Sequence, residues 1–124
     1  MIPKLIVFSY KQEIREAMLK LARGLKLTLL PVNRWTELTA LLSRDQRSLV
    51  FVDSNVQRRL GLRIYKDIHS LSPQSRVVLI NSPPHTQNLV KQAMGAGVYG
   101  CLSWPLKKWE ASTLIDYLLR DMDD

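Results

Sequence analysis

The sequence predicts one α/β domain in which a five-stranded parallel sheet is covered by helices on both faces. Apolar segments without polar alternation are typical of strands buried on both faces, and three occur: KLIVFS (4–9), SLVFVD (48–53) and RVVLIN (76–81). Amphipathic helical patterns separate them, and this alternation indicates a doubly wound (βα)5 fold. The 124 residues fit a single domain, 1–124, because no linker or repeat divides them.

The first half of the chain supplies three strands and two helices. The first strand, 4–9, precedes a helix that ends at Gly24, where glycine is typical of a helix end. KLTLLP (26–31) is a weaker strand pattern, and a shorter second helix separates it from the third strand, 48–53. The apolar stripes of the two helices are Ile14, Ala17, Met18, Leu21 and Ala22, then Leu38, Leu41 and Leu42.

The second half supplies three helices and two strands. A third helix ends before Pro73, and the fourth strand, 76–81, follows it. The fourth helix ends in the 95–97 segment, and YGCLS (99–103) is the fifth strand before the last helix. The three apolar stripes are Leu60, Ile64, Ile68 and Leu71; Leu89, Val90, Ala93 and Met94; and Ala111, Leu114, Ile115, Leu118 and Leu119.

Composition excludes several classes of protein. No apolar segment approaches the ~20 residues of a membrane span, and the N-terminus MIPKLIVFSY lacks the cleavage-site pattern of a secretion signal. The single cysteine, Cys101, excludes an internal disulfide and a Cys-based zinc site, and it fits a reducing compartment. We therefore expect a cytoplasmic protein without membrane contact.

Positive charge is concentrated in the first half of the chain. Residues 1–66 carry 13 Lys and Arg against 5 Asp and Glu, within a net charge of +7. A nucleic-acid interface is one interpretation of this excess. However, no more than two basic residues are consecutive and no aromatic residues interleave with them, so the pattern favours a solvated surface.

Ligand sites of doubly wound sheets lie at the carboxyl ends of the strands. In this sequence those ends hold Ser9-Tyr10, Asp53, Asn81-Ser82 and Ser103-Trp104. A chemical function, if the protein has one, is expected there.

The residues at these strand ends resemble the receiver domain of bacterial two-component response regulators. In VDSNVQRRLGL, the spacing of Asp53, Asn55, Gly61 and Leu62 is similar to that of a receiver's phosphoacceptor loop. In the second half, Ser82 matches the switch hydroxyl, Gly97 and Gly100 match the glycines before the fifth strand, and Pro105 matches the proline after it. The resemblance covers the whole chain and implies the strand order 2-1-3-4-5.

The sequence departs from the receiver pattern where the phosphorylation chemistry resides. The resemblance implies an acidic pair for Mg²⁺ at Ser9 and Tyr10, and a phosphate-binding lysine at Trp104. Because these groups are missing, we expect no cofactor, no metal site and no enzymatic activity, and slow phosphorylation of Asp53 at most. The family's proline step further implies a cis Trp104–Pro105 peptide.

Two other residues bear on the site. Lys11 follows the first strand and either forms an ion pair with Asp53 or points to solvent. Cys101 occupies the position of the receiver's switching aromatic residue, where a small thiol cannot act as the same lever.

The function that these features favour is that of an atypical receiver, or pseudo-receiver, that acts as a protein–protein interaction module in two-component signalling. Its partner would be a signalling protein, a fused output domain or a second copy. The surface of the predicted fourth helix, fifth strand and fifth helix, which includes Lys107, Lys108, Trp109 and Tyr117, would make the contact. Three alternatives stay open: a working phosphoacceptor phosphorylated on Asp53 by a histidine kinase, a basic module that contacts nucleic acid, and a flavin binder. The last is disfavoured because the loop SYKQE contains no glycine.

Overall fold

The computed structural model of the protein describes residues 3–44, 47–86 and 88–123. Five strands lie in this part of the chain: β1 (Lys4–Phe8), β2 (Leu29–Val32), β3 (Ser48–Asp53), β4 (Arg76–Asn81) and β5 (Gly100–Ser103). Six helices lie between and after them: α1 (Gln12–Gly24), α2 (Trp35–Arg44), α3 (Ser54–Leu60), α4 (Arg63–Leu71), α5 (Leu89–Gly95) and α6 (Lys108–Met122).

All neighbouring strands are parallel, and their order is β2-β1-β3-β4-β5. The predicted fold class and strand order are therefore confirmed. In the register of β3 with β4, Asp53 lies opposite Ile80, and in that of β4 with β5, Asn81 lies opposite Ser103. The carboxyl ends of these three strands consequently meet at one edge of the sheet.

Each face of the sheet has its own hydrophobic core. Helices α1 and α6 cover one face, where Leu5, Val7, Phe51 and Ile80 point from the strands. Helices α2 to α5 cover the other, where Ile6, Phe8, Val50 and Leu79 point from the strands. Because successive strand residues point to opposite faces, two covered faces require continuously apolar strands, and every residue of β3 is buried.

The predicted third helix is two helices. Asp53 begins α3, since its side chain accepts a hydrogen bond from the Asn55 N–H. Gly61, with φ of +87°, ends α3 in a conformation that non-glycine residues rarely adopt, and α4 begins two residues later. Leu71, the last residue of α4, is 40% exposed and so is not part of the buried stripe. The predicted fourth and fifth helices correspond to α5 and α6.

The two weaker strand predictions are shifted. The second strand begins at Leu29 and not at Lys26, because the chain first turns after α1, with Lys26 at φ +58° and the Leu27 N–H bonded to the Ala22 carbonyl. The fifth strand begins at Gly100, one residue later than predicted. Within the described residues, no helix is long and apolar enough to cross a membrane.

Candidate functional site

Asp53 lies at the carboxyl edge of the sheet, where β3 ends and α3 begins. Its side chain is fully buried. The Oδ1 atom accepts a hydrogen bond from the Asn55 N–H at 3.3 Å, which is the contact of a helix-capping carboxylate. The phosphoacceptor position is therefore also the N-cap of α3.

Two serine hydroxyls close over the Asp53 carboxylate. The Ser9 hydroxyl, at the end of β1, donates to Oδ2 at 2.8 Å, and the Ser82 hydroxyl, after β4, donates to Oδ1. Both serines are fully buried. Each carboxylate oxygen thus has a hydroxyl donor, which satisfies a polar group that would be costly to bury alone.

A second set of hydrogen bonds joins the start of α3 to the loop between β4 and α5. The Ser54 hydroxyl donates to the Ser82 carbonyl at 3.0 Å and accepts from the Ser82 N–H at 3.0 Å. The Asn55 side-chain amide donates to the Ser82 hydroxyl at 2.9 Å and to the Pro83 carbonyl at 3.2 Å. Ser82 is thus held from both sides, and sequence analysis missed the role of Ser54.

Tyr10, at the second acidic-pair position, packs among aromatic residues. Its ring meets Phe8 edge-on at 5.8 Å between centroids, and the Arg59 guanidinium lies 4.8 Å from the centre of the Tyr10 ring. The half-buried side chain joins the core that α2 to α5 cover. Tyr10 therefore contributes packing and a cation–π contact rather than a carboxylate.

Trp104, at the lysine position, packs on the opposite face of the sheet. The half-buried indole contacts the core between α1 and α6, and with Pro105 it lines a groove of about 520 Å³ against α1. The Trp104–Pro105 peptide is cis as expected, and so is Pro83–Pro84. The end of β5 also carries a negative group, since Glu110 accepts hydrogen bonds there from the Ser103 N–H at 3.1 Å and the Ser103 hydroxyl at 3.2 Å.

Lys11 adopts neither of the two arrangements that its position suggested. Its ammonium crosses the edge of the sheet and donates to the Pro83 carbonyl at 3.2 Å. The ion pairs found among the described residues join Arg63 to Asp67, Arg76 to Asp121 and Arg120 to Asp116, so none involves Asp53.

Two arginines that sequence analysis did not single out also reach this edge. The Arg15 guanidinium donates to the Ser9 carbonyl at 2.6 Å. The Arg58 guanidinium donates to the Asn55 side-chain carbonyl at 2.7 Å and to the Thr86 hydroxyl at 3.0 Å. The spacing of Asn55 and Arg58, three residues apart on one helix, was the available signal for the second.

The residues at this edge do not suit a divalent cation. Mg²⁺ binds through carboxylate and other oxygen ligands, usually with more than one acidic group nearby. Here Asp53 is the carboxylate at the centre and both of its oxygens are bonded to hydroxyls. In the part of the chain that the structure describes, no group of three or more His, Cys, Asp or Glu could hold a metal.

Cys101 is half-buried on β5 and packs toward the core of α2 to α5. Burial raises the pKa of its thiol, and the nearby Glu110 carboxylate raises it further. Burial also raises the pKa of Tyr65, whose hydroxyl donates to the Gln57 side chain at 2.6 Å. Because the pKa of the Cys101 thiol is raised, this thiol stays protonated at neutral pH, which disfavours reactive cysteine chemistry.

The solved structures similar to this chain include response-regulator receiver domains. The chain is similar to a response regulator from Thermotoga maritima, with a TM-score of 0.83, 17% identity, and coverage of 97% of this chain and 99% of that chain. It is similar to the signal receiver domain of an HD domain-containing protein from Pseudomonas fluorescens Pf-5, with a TM-score of 0.84, 21% identity, and coverage of 98% and 89%.

A third similar structure is the beryllofluoride-activated NtrC4 receiver domain dimer, with a TM-score of 0.81, 14% identity, and coverage of 97% and 98%. No protein-family model matches the sequence, and no curated protein matches it. The likeness to these structures is therefore one of fold: this chain has the fold of response-regulator receiver domains.

Proposed function

We propose that the chain is a pseudo-receiver: a cytoplasmic, non-enzymatic signalling module that binds a partner and does not depend on phosphorylation of Asp53. The observation that carries the proposal is the pair of hydroxyls on the Asp53 carboxylate, from Ser9 and Ser82. A nucleophilic carboxylate needs an accessible oxygen, whereas the Asp53 carboxylate is fully buried and both of its oxygens accept hydrogen bonds inside the protein. Asp53 instead has a structural role as the cap of α3, through the hydrogen bond that it accepts from the Asn55 N–H.

The electrostatics at the end of β5 support the same proposal. Phosphoryl transfer depends on positive charge placed against the transferred group. Trp104 brings no charge to the lysine position, and the Glu110 carboxylate at the end of β5 is negative. The interaction between two unit charges about 4 Å apart is worth a few kcal/mol near a surface. Loss of the lysine charge therefore corresponds to orders of magnitude in the rate of phosphoryl transfer.

The binding surface in this proposal is the α5–β5–α6 face, defined here by Met94, Tyr99, Trp109 and Tyr117. These four are large, exposed side chains within a short stretch of the chain, and Trp109 is 78% exposed. Exposed aromatic residues are the typical anchors of protein interfaces. The occupant that we propose is a second copy of the chain.

Incubation with acetyl phosphate and Mg²⁺, followed by intact mass measurement, tests whether Asp53 can be phosphorylated. The wild-type protein is expected to gain no phosphoryl mass. A variant with Ser9→Asp, Tyr10→Asp and Trp104→Lys is expected to gain it, because these changes return the metal-binding carboxylates and the lysine. The same variant with Asp53→Asn is the control for the modified residue. A phosphoryl adduct on Asp53 of the wild-type protein would contradict the proposal.

A further inference from the structure

An apolar groove lies between α1 and the loop that joins β5 to α6. Ala17 and Leu21, one turn apart on α1, line one side of it, and Trp104, Pro105 and Leu106 line the other. Its volume of about 520 Å³ lies within the range of about 300–1,000 Å³ that is typical of small-molecule sites. Among the described residues, the phosphoacceptor position and its hydrogen-bond partners do not line this groove, so it is a separate feature.

The sequence leaves the groove open on the side of α1. Ala17 has a small side chain and Gly24, which also lines the groove, has none; a Cβ added at Gly24 would meet no atom within 4 Å. On the other side, the Trp104 indole contacts the core between α1 and α6 but stays half-buried, as do Leu21 and Leu106. Apolar surface therefore remains in contact with solvent here, and the hydrophobic effect would favour a ligand that covers it.

Two lysines place positive charge at the groove. Lys20 lies on α1 and Lys108 is the first residue of α6; both line the groove, and both are exposed. The ion pairs found among the described residues include neither lysine, and neither donates a hydrogen bond to another described residue. Both ammonium groups are consequently available to an anion bound in the groove.

The acidic residues of the neighbouring segments have other partners or positions. The Glu16 carboxylate accepts a hydrogen bond from the Gln12 side chain at 2.7 Å, and the Glu110 carboxylate accepts one from the Ser103 N–H at 3.1 Å. Glu13 is exposed and lies nearly two turns before the lysine of α1. Among the described residues, the lining of the groove therefore combines apolar surface with positive charge and no carboxylate.

The geometry points to a binding site in this groove for a small amphipathic carboxylate. The apolar chain or ring of the ligand lies against Trp104 and Leu21, and its carboxylate lies beside Lys20 and Lys108. The part of α1 that lines the groove is about two turns, or roughly 10 Å, long. A partner's helix is itself about 10 Å wide, so the size of the groove favours a small molecule over a helix. The inference goes beyond the proposed function, which assigns no ligand to this groove.

A nuclear magnetic resonance titration of the full chain with sodium octanoate, at constant ionic strength maintained with chloride, tests the site. We expect a saturable shift of the Trp104 indole N–H, whereas the Trp35 indole, which packs on the opposite face of the sheet, is expected to stay unshifted. Octanol has the same chain without the charge. Lys20→Gln and Lys108→Gln are each expected to weaken octanoate binding by about threefold or more and to change octanol binding by less than about twofold.

Two further variants separate the shape of the groove from its charge. Ala17→Leu places a larger side chain in the groove and is expected to weaken the binding of both octanoate and octanol by about tenfold or more. Lys66→Gln removes an exposed lysine of α4 and is the matched control, expected to change octanoate binding by less than about twofold. The lysine variants keep the test valid if Ala17→Leu misfolds, because both lysines are exposed.

Three results would overturn the site: shifts that do not saturate, an equal loss of octanoate binding in Lys66→Gln and Lys20→Gln, or saturable binding of an acidic helical peptide in the groove without saturable binding of octanoate. The last result would make the groove a docking surface for a partner's helix. Octanoate does not phosphorylate a carboxylate, so the outcome is separate from that of the acetyl phosphate experiment on Asp53.

Discussion

At the scale of the residue, the neighbours of Asp53 determine what its carboxylate can do. Hydroxyls from Ser9 and Ser82 and the Asn55 amide satisfy it within the protein. A carboxylate in this setting stabilises the local structure, since hydrogen bonds to a charged group contribute more than those between neutral groups. The same contacts compete with any electrophile for the oxygens of Asp53.

Replacement of Ser82 tests this stabilising role. Ser82→Ala removes the donor to Asp53 Oδ1 and the acceptor of the Asn55 side-chain amide, and it leaves both partners buried or half-buried. We expect the free energy of unfolding to fall by about 1–3 kcal/mol in urea denaturation. Ser43→Ala, on the exposed surface of α2, is the matched control and is expected to change stability by less than about 0.5 kcal/mol. Similar values for the two variants would contradict the stabilising role.

Some residues of the site could be found from the sequence and others could not. Asp53 and Ser82 were located because the ends of parallel strands meet at one edge of the sheet, and Asn55 was located through the resemblance to a receiver's phosphoacceptor loop. Arg15 and Arg58 escaped notice because their placement depends on the rotation of α1 and α3 about their axes and on side-chain conformation. Neither of these can be read from apolar spacing.

At the scale of the element, burial on both faces made the strands predictable. The third and fourth strands begin and end at the predicted residues, 48–53 and 76–81, because their apolar runs are bounded by polar residues. The third helix could not be predicted correctly, because the apolar stripe continues through the segment where the backbone breaks. Only the conformation of Gly61 separates α3 from α4.

Replacement of Gly61 tests whether this break is required. Gly61 has φ of +87° and ψ of 174°, a region that side chains strongly disfavour. Gly61→Ala is expected to lower the free energy of unfolding by about 1–3 kcal/mol, measured in urea, although an added Cβ would meet no atom within 4 Å. Gly24→Ala is the control, because an added Cβ at Gly24 would also meet no atom within 4 Å, whereas the φ of Gly24 is not positive. Equal effects of the two changes would contradict a requirement set by the backbone.

At the scale of the whole molecule, the charge distribution along α6 is self-complementary. Lys107 and Lys108 outnumber Glu110 at its start, whereas Asp121 and Asp123 outnumber Arg120 at its end, where Asp121 is also paired with Arg76. In a two-fold symmetric dimer the same surface meets itself, so paired α6 helices would be antiparallel. Each basic end would then face the acidic end of the partner, and the helix dipoles would also oppose each other favourably.

The oligomeric state tests this arrangement. Exposed Trp109 and Tyr117 lie eight residues apart on α6, which is close to two helical turns, and they would form the apolar centre of the contact. Sedimentation velocity is expected to show a concentration-dependent dimer that dissociates more readily at high salt, because the flanking charges are screened. Trp109→Glu should make the protein monomeric, whereas Leu71→Glu, at an exposed apolar residue of α4, should leave the dimer intact. A wild-type protein that stays monomeric at millimolar concentration, or equal dissociation by both changes, would show that α6 does not join two copies.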